Sequence, residues 1–454
     1  MTVAFAAAFI VRIFFAMRSE GHITDLNCFR AWAAALAQDG LSGFYESGMF
    51  ADYPPAYMYV LYVLGKIGSL LGLSSGEDGY KLLVQIPAVI ADLALAYVFY
   101  RMAKKRLGRA TGSVLSMALL FCPAIICLSA AWVQIDSVLI LGLVAVLYLL
   151  HTDKKACAAM LWALMVLTKP QALILGPVLL FVLIADIAKK ETRKRSFCQL
   201  GIALVGMAAV YTIVTLPMKG GQSFFYAIEK IAGTTSFYAY TSANAFNLLG
   251  LLGGNFTPNT ETMLGIPYTI WGVAGIVISL IVSAAVYFKK PDRSRVYLTA
   301  GVLYMLMFTL AHNMHERYLL PAAVLMLFAA VQSDSRRMTI SSMALFAVSF
   351  FNIYVTYIFK TVYIYDIVFT LGCISTLCAA AYTLYAAIAE TVGFEEKKKL
   401  KIPHVLLLPP KEVSMKRAKE RLYSFSPDPE RKVTRKDVLI MAIISVIYAG
   451  FAFT

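Results

Sequence analysis

The sequence predicts an all-α membrane protein that crosses the bilayer many times. Hydrophobic residues make up 60% of the 454 positions and charged residues only 15%, a composition outside the usual range of water-soluble domains. The mean hydropathy is +0.71. Apolar runs recur along the chain, each close to the roughly 20 residues that a helix needs to cross the hydrocarbon core. A bundle of transmembrane helices is therefore the expected architecture.

Thirteen apolar segments are predicted to cross the membrane. Residues 56–73 are also apolar, but they contain Lys66 and several glycines, so we expect them to form a juxtamembrane helix in the interface. Residues 157–168 are short for a crossing and are expected to form a helical pair with the next segment, meeting at Pro170. The predicted crossings are residues 2–17, 80–100, 111–131, 136–150, 157–168, 170–187, 197–216, 266–288, 296–311, 318–332, 339–358, 362–389 and 438–453.

Basic residues are concentrated in alternate loops. Because Lys and Arg mark the cytoplasmic ends of membrane helices, this pattern explains the net charge of +15 without a nucleic-acid partner. The predicted cytoplasmic segments are residues 101–109, 151–155, 189–195, 289–295, 333–337 and 395–437. The remaining segments, residues 19–79, 132–136, 168–170, 217–265 and 312–317, are then expected to face outward together.

The first of these outward segments holds seven carboxylates. Asp25 follows the first helix and opens a weakly amphipathic stretch in GHITDLNCFRAWA. Asp25 can serve as the N-cap of that stretch, as can Thr24. It can also serve as a general base, because a carboxylate held at a helix start on the membrane surface stays ionised. The two roles are compatible, and Asp25 is the first candidate catalytic residue.

A second acidic candidate, Asp52, precedes a pair of prolines in ADYPPAYMY. Pro54 and Pro55 fix their own backbone and push Tyr53 toward an extended conformation. Asp52 and Tyr53 are therefore presented rigidly before an apolar helix. The alternative is that the prolines only mark the first turn of that helix.

Ionisable residues cluster late in the chain, in HNMHERYLLP between two apolar runs. Such groups at membrane depth are functional or paired. The HExxH order of a zinc peptidase is absent, so no metal ligands are predicted here, although a divalent metal is not excluded. A cation beside a histidine suits a phosphate better. The candidates are His312, His315, Glu316 and Arg317.

Polar residues in three other outward segments complete the candidate set. Lys169 in LTKPQAL either extends to the interface or binds an anion such as a lipid phosphate. Gln134 and Asp136 in WVQIDS form a polar site, or Asp136 caps the next helix. Asn244 and Asn247 lie in an aromatic, glycine-rich loop that suits sugar binding, although a plain long loop explains them as well.

The order of these motifs resembles the GT-C superfamily of polytopic glycosyltransferases. The DYPP and HxHEK signatures of the dolichyl-phosphate-glucose glucosyltransferases look like Asp52 to Pro55 and Met314 to Arg317 preceded by His312. The chain is also similar to protein O-mannosyltransferases and aminoarabinose transferases. Arg317 stands where the signature has a lysine. The arginine keeps the positive charge and adds a forked hydrogen-bond donor.

The resemblance implies an inverting transfer of a hexose, of glucose or mannose type, from a polyprenyl-phosphate-linked donor on the outer face of the membrane. Asp25 is implied as the base, with Asp52 as the second candidate. Lys169, His312, His315 and Arg317 would bind the donor phosphate, while Tyr53, Glu316, Gln134, Asp136, Asn244 and Asn247 would support the substrates. No cofactor is implied, and the acceptor is a glycan, a lipid or a protein. The alternatives are a flippase or other transporter for lipid-linked sugars and an inactive scaffold.

Four regions follow from this interpretation. Residues 1–216 form an N-terminal catalytic module that includes loop 19–79, and residues 217–394 add loop 217–265 and further helices. Residues 395–437, with thirteen Lys or Arg, are expected to be a basic cytoplasmic linker. Residues 438–454 form a final transmembrane helix, and because the sequence ends on this apolar run, we expect a longer protein.

Overall fold

The computed structural model describes residues 1–237, 239–359 and 366–393, and within these ranges it contains sixteen α-helices. The predicted all-α class is confirmed. The predicted linker 395–437 and the final span 438–453 lie outside the described residues. The helices are α1 (Thr2–Arg18), α2 (Ile23–Asp39), α3 (Pro55–Leu70), α4 (Asp78–Leu107), α5 (Arg109–Leu120), α6 (Pro123–Ile126), α7 (Asp136–His151), α8 (Lys155–Thr168), α9 (Gly176–Ala188), α10 (Lys190–Thr215), α11 (Tyr226–Phe237), α12 (Tyr268–Phe288), α13 (Val296–Leu310), α14 (Leu320–Ser333), α15 (Arg336–Phe359) and α16 (Asp366–Val392).

Seven helical segments of the described chain are long and apolar enough to cross a membrane. Three predicted crossings, α7, α8 and α14, are shorter apolar helices. The first helix does not continue into the second, because α1 and α2 meet at a bend of 97°. Helix α3, which covers most of the predicted juxtamembrane segment, packs along α2. The α1–α2 bend and the α2–α3 pair therefore place a compact helical layer at one end of the bundle.

The centre of the bundle is the helical hairpin of α13 and α14. Nearly every residue of both helices is buried, including small, aliphatic and aromatic side chains. Helices α4, α7, α12 and α15 pack around this hairpin. By contrast, only 6% of the most apolar stretch of α10 is buried inside the protein. This exposure fits contact with lipid. Because both helices are packed in the core, they position the turn that joins them, residues 311–319.

Two pairs of very short strands lie in the loops at the same end as that turn. Strand β1 (Ser242–Ala243) runs parallel to β4 (Met314–His315), while β2 (Thr262–Met263) and β3 (Ile266–Pro267) form an antiparallel pair. The β1–β4 pair joins loop 217–265 to the turn between α13 and α14. Two segments that are distant in sequence are thereby held in register.

Helix α4 supports this end of the bundle through three polar side chains at helical spacing. Lys81 Nζ donates to the Ser19 carbonyl at 2.7 Å, and Gln85 Nε2 donates to the Ala130 carbonyl at 2.7 Å. Deeper in the helix, the Asp92 carboxylate pairs with Arg12 Nε at 2.7 Å and accepts from Ser129 Oγ at 2.6 Å. Such groups are costly in an apolar interior unless paired, so α1, α4 and the segment 127–132 are held in one arrangement.

Candidate active site

One cavity of about 460 Å³ gathers most of the predicted site residues. Its walls come from the start of α2, the segment before α3, the chain after α8, strand β1 and the turn between α13 and α14. Eight of the twelve predicted residues line it: Asp25, Asp52, Tyr53, Lys169, Asn244, His315, Glu316 and Arg317. Motifs separated by almost 300 positions in sequence therefore face one space.

Asp25 lies in the first turn of α2 and faces this cavity. The helix begins at Ile23 with His22 as its N-cap, so the expectation that Asp25 or Thr24 caps it is wrong. The Asp25 side chain is 25% exposed, and its Oδ2 accepts a hydrogen bond from Trp132 Nε1 at 2.7 Å. Burial raises the pKa of Asp25, but Arg317, His22 and hydrogen bonds from Gln134 and Trp132 outweigh burial and lower it. The carboxylate is therefore ionised at neutral pH and able to accept a proton.

Trp132 reaches Asp25 because the chain widens into a π-helix at Cys127–Trp132. Pro123 interrupts the preceding helix, and Val133 ends the π-helix in the left-handed region at φ 80°. A β-branched residue in that region is strained, and such strain is held where the surrounding structure enforces it. The Trp132 carbonyl also accepts from the His22 backbone N–H at 3.0 Å. Sequence reasoning missed Trp132 and His22, although Trp132 lies only two residues before the candidate Gln134.

The two predicted phosphate-binding cations, Lys169 and Arg317, lie in a buried ionic network. Lys169 Nζ is 2.8 Å from Asp136 Oδ1, and Arg317 Nη1 is 2.5 Å from Glu316 Oε1. Arg317 Nε is 3.7 Å from Asp136 Oδ2, which joins the two pairs. Lys169 is buried, so it does not extend to the interface. Asp136 does not cap α7 either, because Ile135 is the N-cap and the Asp136 carboxylate faces Lys169.

Burial and neighbouring charges act in opposite directions on these cations. Burial lowers the pKa of Lys169, and Asp136 only partly offsets this effect. Burial also lowers the pKa of Arg317, but Glu316, Asp25 and Asp136 outweigh it and raise that pKa well above its ordinary value. Arg317 is thus a permanent cation held against the cavity. Asp136 and Glu316 balance the charges of the two cations.

His315 is placed by the β1–β4 pair, in which it lies opposite Ala243. Burial, followed by the charges of Arg317 and Lys169, lowers the pKa of His315 to about 3. Its imidazole is therefore neutral at physiological pH and can donate one hydrogen bond and accept another. Asn244, next to Ala243, has φ of 52°, and its carbonyl accepts from Asn352 Nδ2 at 2.6 Å. These contacts hold in place the edge of the cavity that loop 217–265 forms.

Four predicted residues lie outside the cavity lining. Gln134 lies behind it and accepts from the Tyr53 hydroxyl at 3.2 Å and from Lys169 Nζ at 3.4 Å, and Asp136 is the fully buried partner of Lys169. His312 packs against Gly272 of α12, where an added Cβ would come within 2.1 Å of its Nδ1. Asn247 is buried and accepts from the Gly250 backbone N–H at 2.7 Å.

Comparison with known families agrees with this architecture. Residues 71–215 match the model of the dolichyl-phosphate-mannose-protein mannosyltransferase family. That family belongs to the GT-C superfamily, so the predicted resemblance to GT-C glycosyltransferases is confirmed. The match includes Trp132 and Lys169 but neither Asp25 nor Arg317. No curated protein matches the chain.

Proposed function

We propose that this protein is a GT-C glycosyltransferase that transfers a mannose-type hexose from a polyprenyl-phosphate donor to an acceptor hydroxyl, with inversion, on the outer face of the membrane. One observation carries the proposal: the ionised carboxylate of Asp25 shares a cavity with the buried cations Lys169 and Arg317. A base on one wall and cations on another are what transfer from a phosphate-linked sugar requires.

The reaction breaks one bond and forms another at the anomeric carbon. The acceptor oxygen attacks that carbon and loses its proton to the Asp25 carboxylate. The bond from the carbon to the phosphate oxygen breaks, and the polyprenyl phosphate leaves with an additional negative charge. Lys169 and Arg317 would stabilise this charge, since the low dielectric of the buried site strengthens each contact.

The ionic network fits a site that binds and releases an anionic donor, because its cations have acidic partners before the donor binds. Without a donor, Asp136 and Glu316 compensate Lys169 and Arg317, which avoids leaving a buried charge unpaired. A bound phosphate would add charge-assisted hydrogen bonds to the same cations. His315, neutral and adjacent, would donate a further hydrogen bond without adding charge. The donor phosphate is thus expected on the wall formed by Lys169, His315 and Arg317.

The rest of the cavity suits a sugar. Aromatic rings of Trp32, Tyr53, Tyr240, Phe256 and Tyr318 line it together with the polar groups described above. Aromatic faces pack against the C–H faces of sugars, while amides and hydroxyls bond the sugar hydroxyls. This combination of apolar walls and few convergent polar groups is typical of small-molecule sites.

A transfer assay with purified protein in detergent or nanodiscs tests the proposal. Radiolabelled polyprenyl-phosphate-mannose and polyprenyl-phosphate-glucose would be offered with a mixture of lipid, glycan and peptide acceptors. We expect release of polyprenyl phosphate, formation of a labelled product and preference for mannose. Movement of intact donor across vesicle membranes, with no transfer to any acceptor, would identify a transporter instead.

Arg317→Ala is expected to raise the apparent KM for the donor about 10-fold or more, since a hydrogen bond to a charged group contributes about 1.5 to 3 kcal/mol. Donor titrations with the native and variant proteins would measure this. Arg195→Ala is the matched control, because that guanidinium is 67% exposed and pairs with Asp153 away from the cavity. An unchanged donor KM in a folded Arg317→Ala variant would assign Arg317 only to pairing with Glu316.

A further inference from the structure

His22 contacts the proposed base directly and is not accounted for by the motifs above. Its Nδ1 lies 3.3 Å from Asp25 Oδ2, the same oxygen that accepts from Trp132 Nε1. Nδ1 is buried and has no aligned hydrogen bond within the described residues, whereas the side chain as a whole is 31% exposed. The imidazole therefore has one nitrogen beside the carboxylate and part of its surface accessible from outside.

The orientation of the His22 ring is fixed by stacking. Its plane lies 11° from that of the Trp132 indole, with ring centroids 4.8 Å apart. The His22 backbone is held as well, through its N–H bond to the Trp132 carbonyl and through Gly21, which adopts φ of 76°. An added Cβ at Gly21 would come within 3.0 Å of the Leu26 side chain. The His22 ring is thus held beside Asp25 by contacts on two sides.

The charged and titratable groups around this stack come from three further elements. Asp25 faces His22 from α2, and Glu20 lies two residues before it in the chain. The Arg317 guanidinium lies 6.0 Å from the centroid of the Trp132 ring, and the ring of Tyr357 from α15 lies 6.0 Å from the same indole. Of the groups in this set, Asp25 is the one within ion-pair distance of the imidazole.

The geometry points to His22 as a positioning residue that sets when Asp25 can act as a base, an inference that rests on the proposed function. A neutral ring packs beside Oδ2 without adding charge, so the carboxylate keeps more of its proton affinity than it would beside an imidazolium. With a charged ring, the imidazolium would stabilise the carboxylate as an ion pair and weaken it as a base. Histidine changes charge in the range of about pH 5 to 8. We therefore expect turnover with the neutral ring and loss of turnover with the charged ring.

Two substitutions separate the charge of His22 from its positioning contact. The amide of His22→Asn can donate to Asp25 Oδ2 but cannot become charged, whereas His22→Ala removes both properties. At pH 7.5 we expect His22→Asn to retain kcat within about three-fold. We expect His22→Ala to lose about 10-fold or more, with the donor KM unchanged, because misplacement of a reacting group lowers kcat. A decrease in the kcat of the native protein on acidification should be absent in His22→Asn, because the asparagine amide does not become charged.

A second measurement needs no enzymatic activity. An imidazolium stacked on an indole quenches its fluorescence, and Trp132 is one of four tryptophans. The native protein without substrates should lose tryptophan fluorescence on acidification through the same pH range, and His22→Asn should not. Thermal unfolding of each variant would confirm that the fold is intact.

The outcomes separate this inference from the proposed function. Absence of transfer by the native protein with every donor would overturn the proposed function, while the fluorescence titration would still report on the His22 stack. Two results with an active native protein would overturn the role of His22 and leave the reaction standing. In one, the kcat of His22→Asn decreases on acidification as that of the native protein does. In the other, His22→Ala keeps the native kcat.

Discussion

Replacement of Asp25 by asparagine is expected to lower kcat about 10²- to 10⁴-fold, which is the usual contribution of a general base. This loss corresponds to roughly 3 to 5 kcal/mol of activation free energy. The amide has nearly the same shape and can still accept from Trp132 Nε1 through its oxygen, so the structure around it should survive. What the variant lacks is an anionic acceptor for the proton of the attacking hydroxyl. Single-turnover transfer at saturating donor would measure the loss.

The control for this variant is Asp39→Asn at the exposed C-terminal end of the same helix. It makes the same chemical change outside the cavity and should leave kcat unchanged. Asp52→Asn tests the second acidic candidate, which lines the same cavity. We expect a smaller loss for Asp52→Asn than for Asp25→Asn, and the reverse order would assign the base to Asp52.

Replacement of Asp92 by alanine is expected to destabilise the fold by about 3 to 5 kcal/mol, the cost of leaving one member of a buried ion pair without its partner. Arg12 and Asp92 are both fully buried, and their atoms Nε and Oδ2 are 2.7 Å apart. The same carboxylate oxygen accepts from Ser129 in the π-helix that ends at Trp132. Loss of Asp92 should therefore also loosen the support of Asp25. Unfolding of the protein in detergent or bicelles, followed by circular dichroism or steric trapping, would measure the free energy.

Asp78→Ala on the same helix is the matched control. Its carboxylate is 91% exposed and lies 3.5 Å from Lys81, so its loss should change stability by less than about 1 kcal/mol. The double variant Arg12→Met with Asp92→Leu should recover most of the lost stability, since apolar replacement of a buried pair is often neutral. Equal stability of Asp92→Ala and the native protein would show that the pair does not hold α1 against α4.

Much of the fold could be predicted from the sequence because hydrophobic segment length is a direct consequence of bilayer thickness. The bounds of α12 and α15 follow closely the apolar runs that predicted them, whereas α4 continues to Leu107, through most of the predicted loop 101–109. The break at Lys169 and Pro170 was expected from the missing backbone donor of proline, and the structure has a 3₁₀ turn there. Helix starts were less predictable, since several neighbouring residues can cap, as at Asp25 and Asp136.

The pairings within the site could not be read from the sequence. Lys169 has no acid beside it in the chain, yet it pairs with Asp136 across 33 positions, and Trp132 reaches Asp25 across 107 positions. Such contacts depend on helix packing, on the π-helix and on the short β1–β4 pair, and none of these has a periodic signal. A signal for His22 did exist, because an ionisable residue three positions before a candidate base lies on the same face of a helical turn.

The most direct test of this account is a cryo-electron microscopy structure of the Asp25→Asn variant with bound polyprenyl-phosphate-mannose. We expect the donor phosphate within hydrogen-bond distance of Lys169 or Arg317 and the anomeric carbon on the side of the cavity that faces residue 25, with room for an acceptor hydroxyl between them. A donor headgroup bound outside this cavity, or with its phosphate on the wall formed by residue 25, would contradict it.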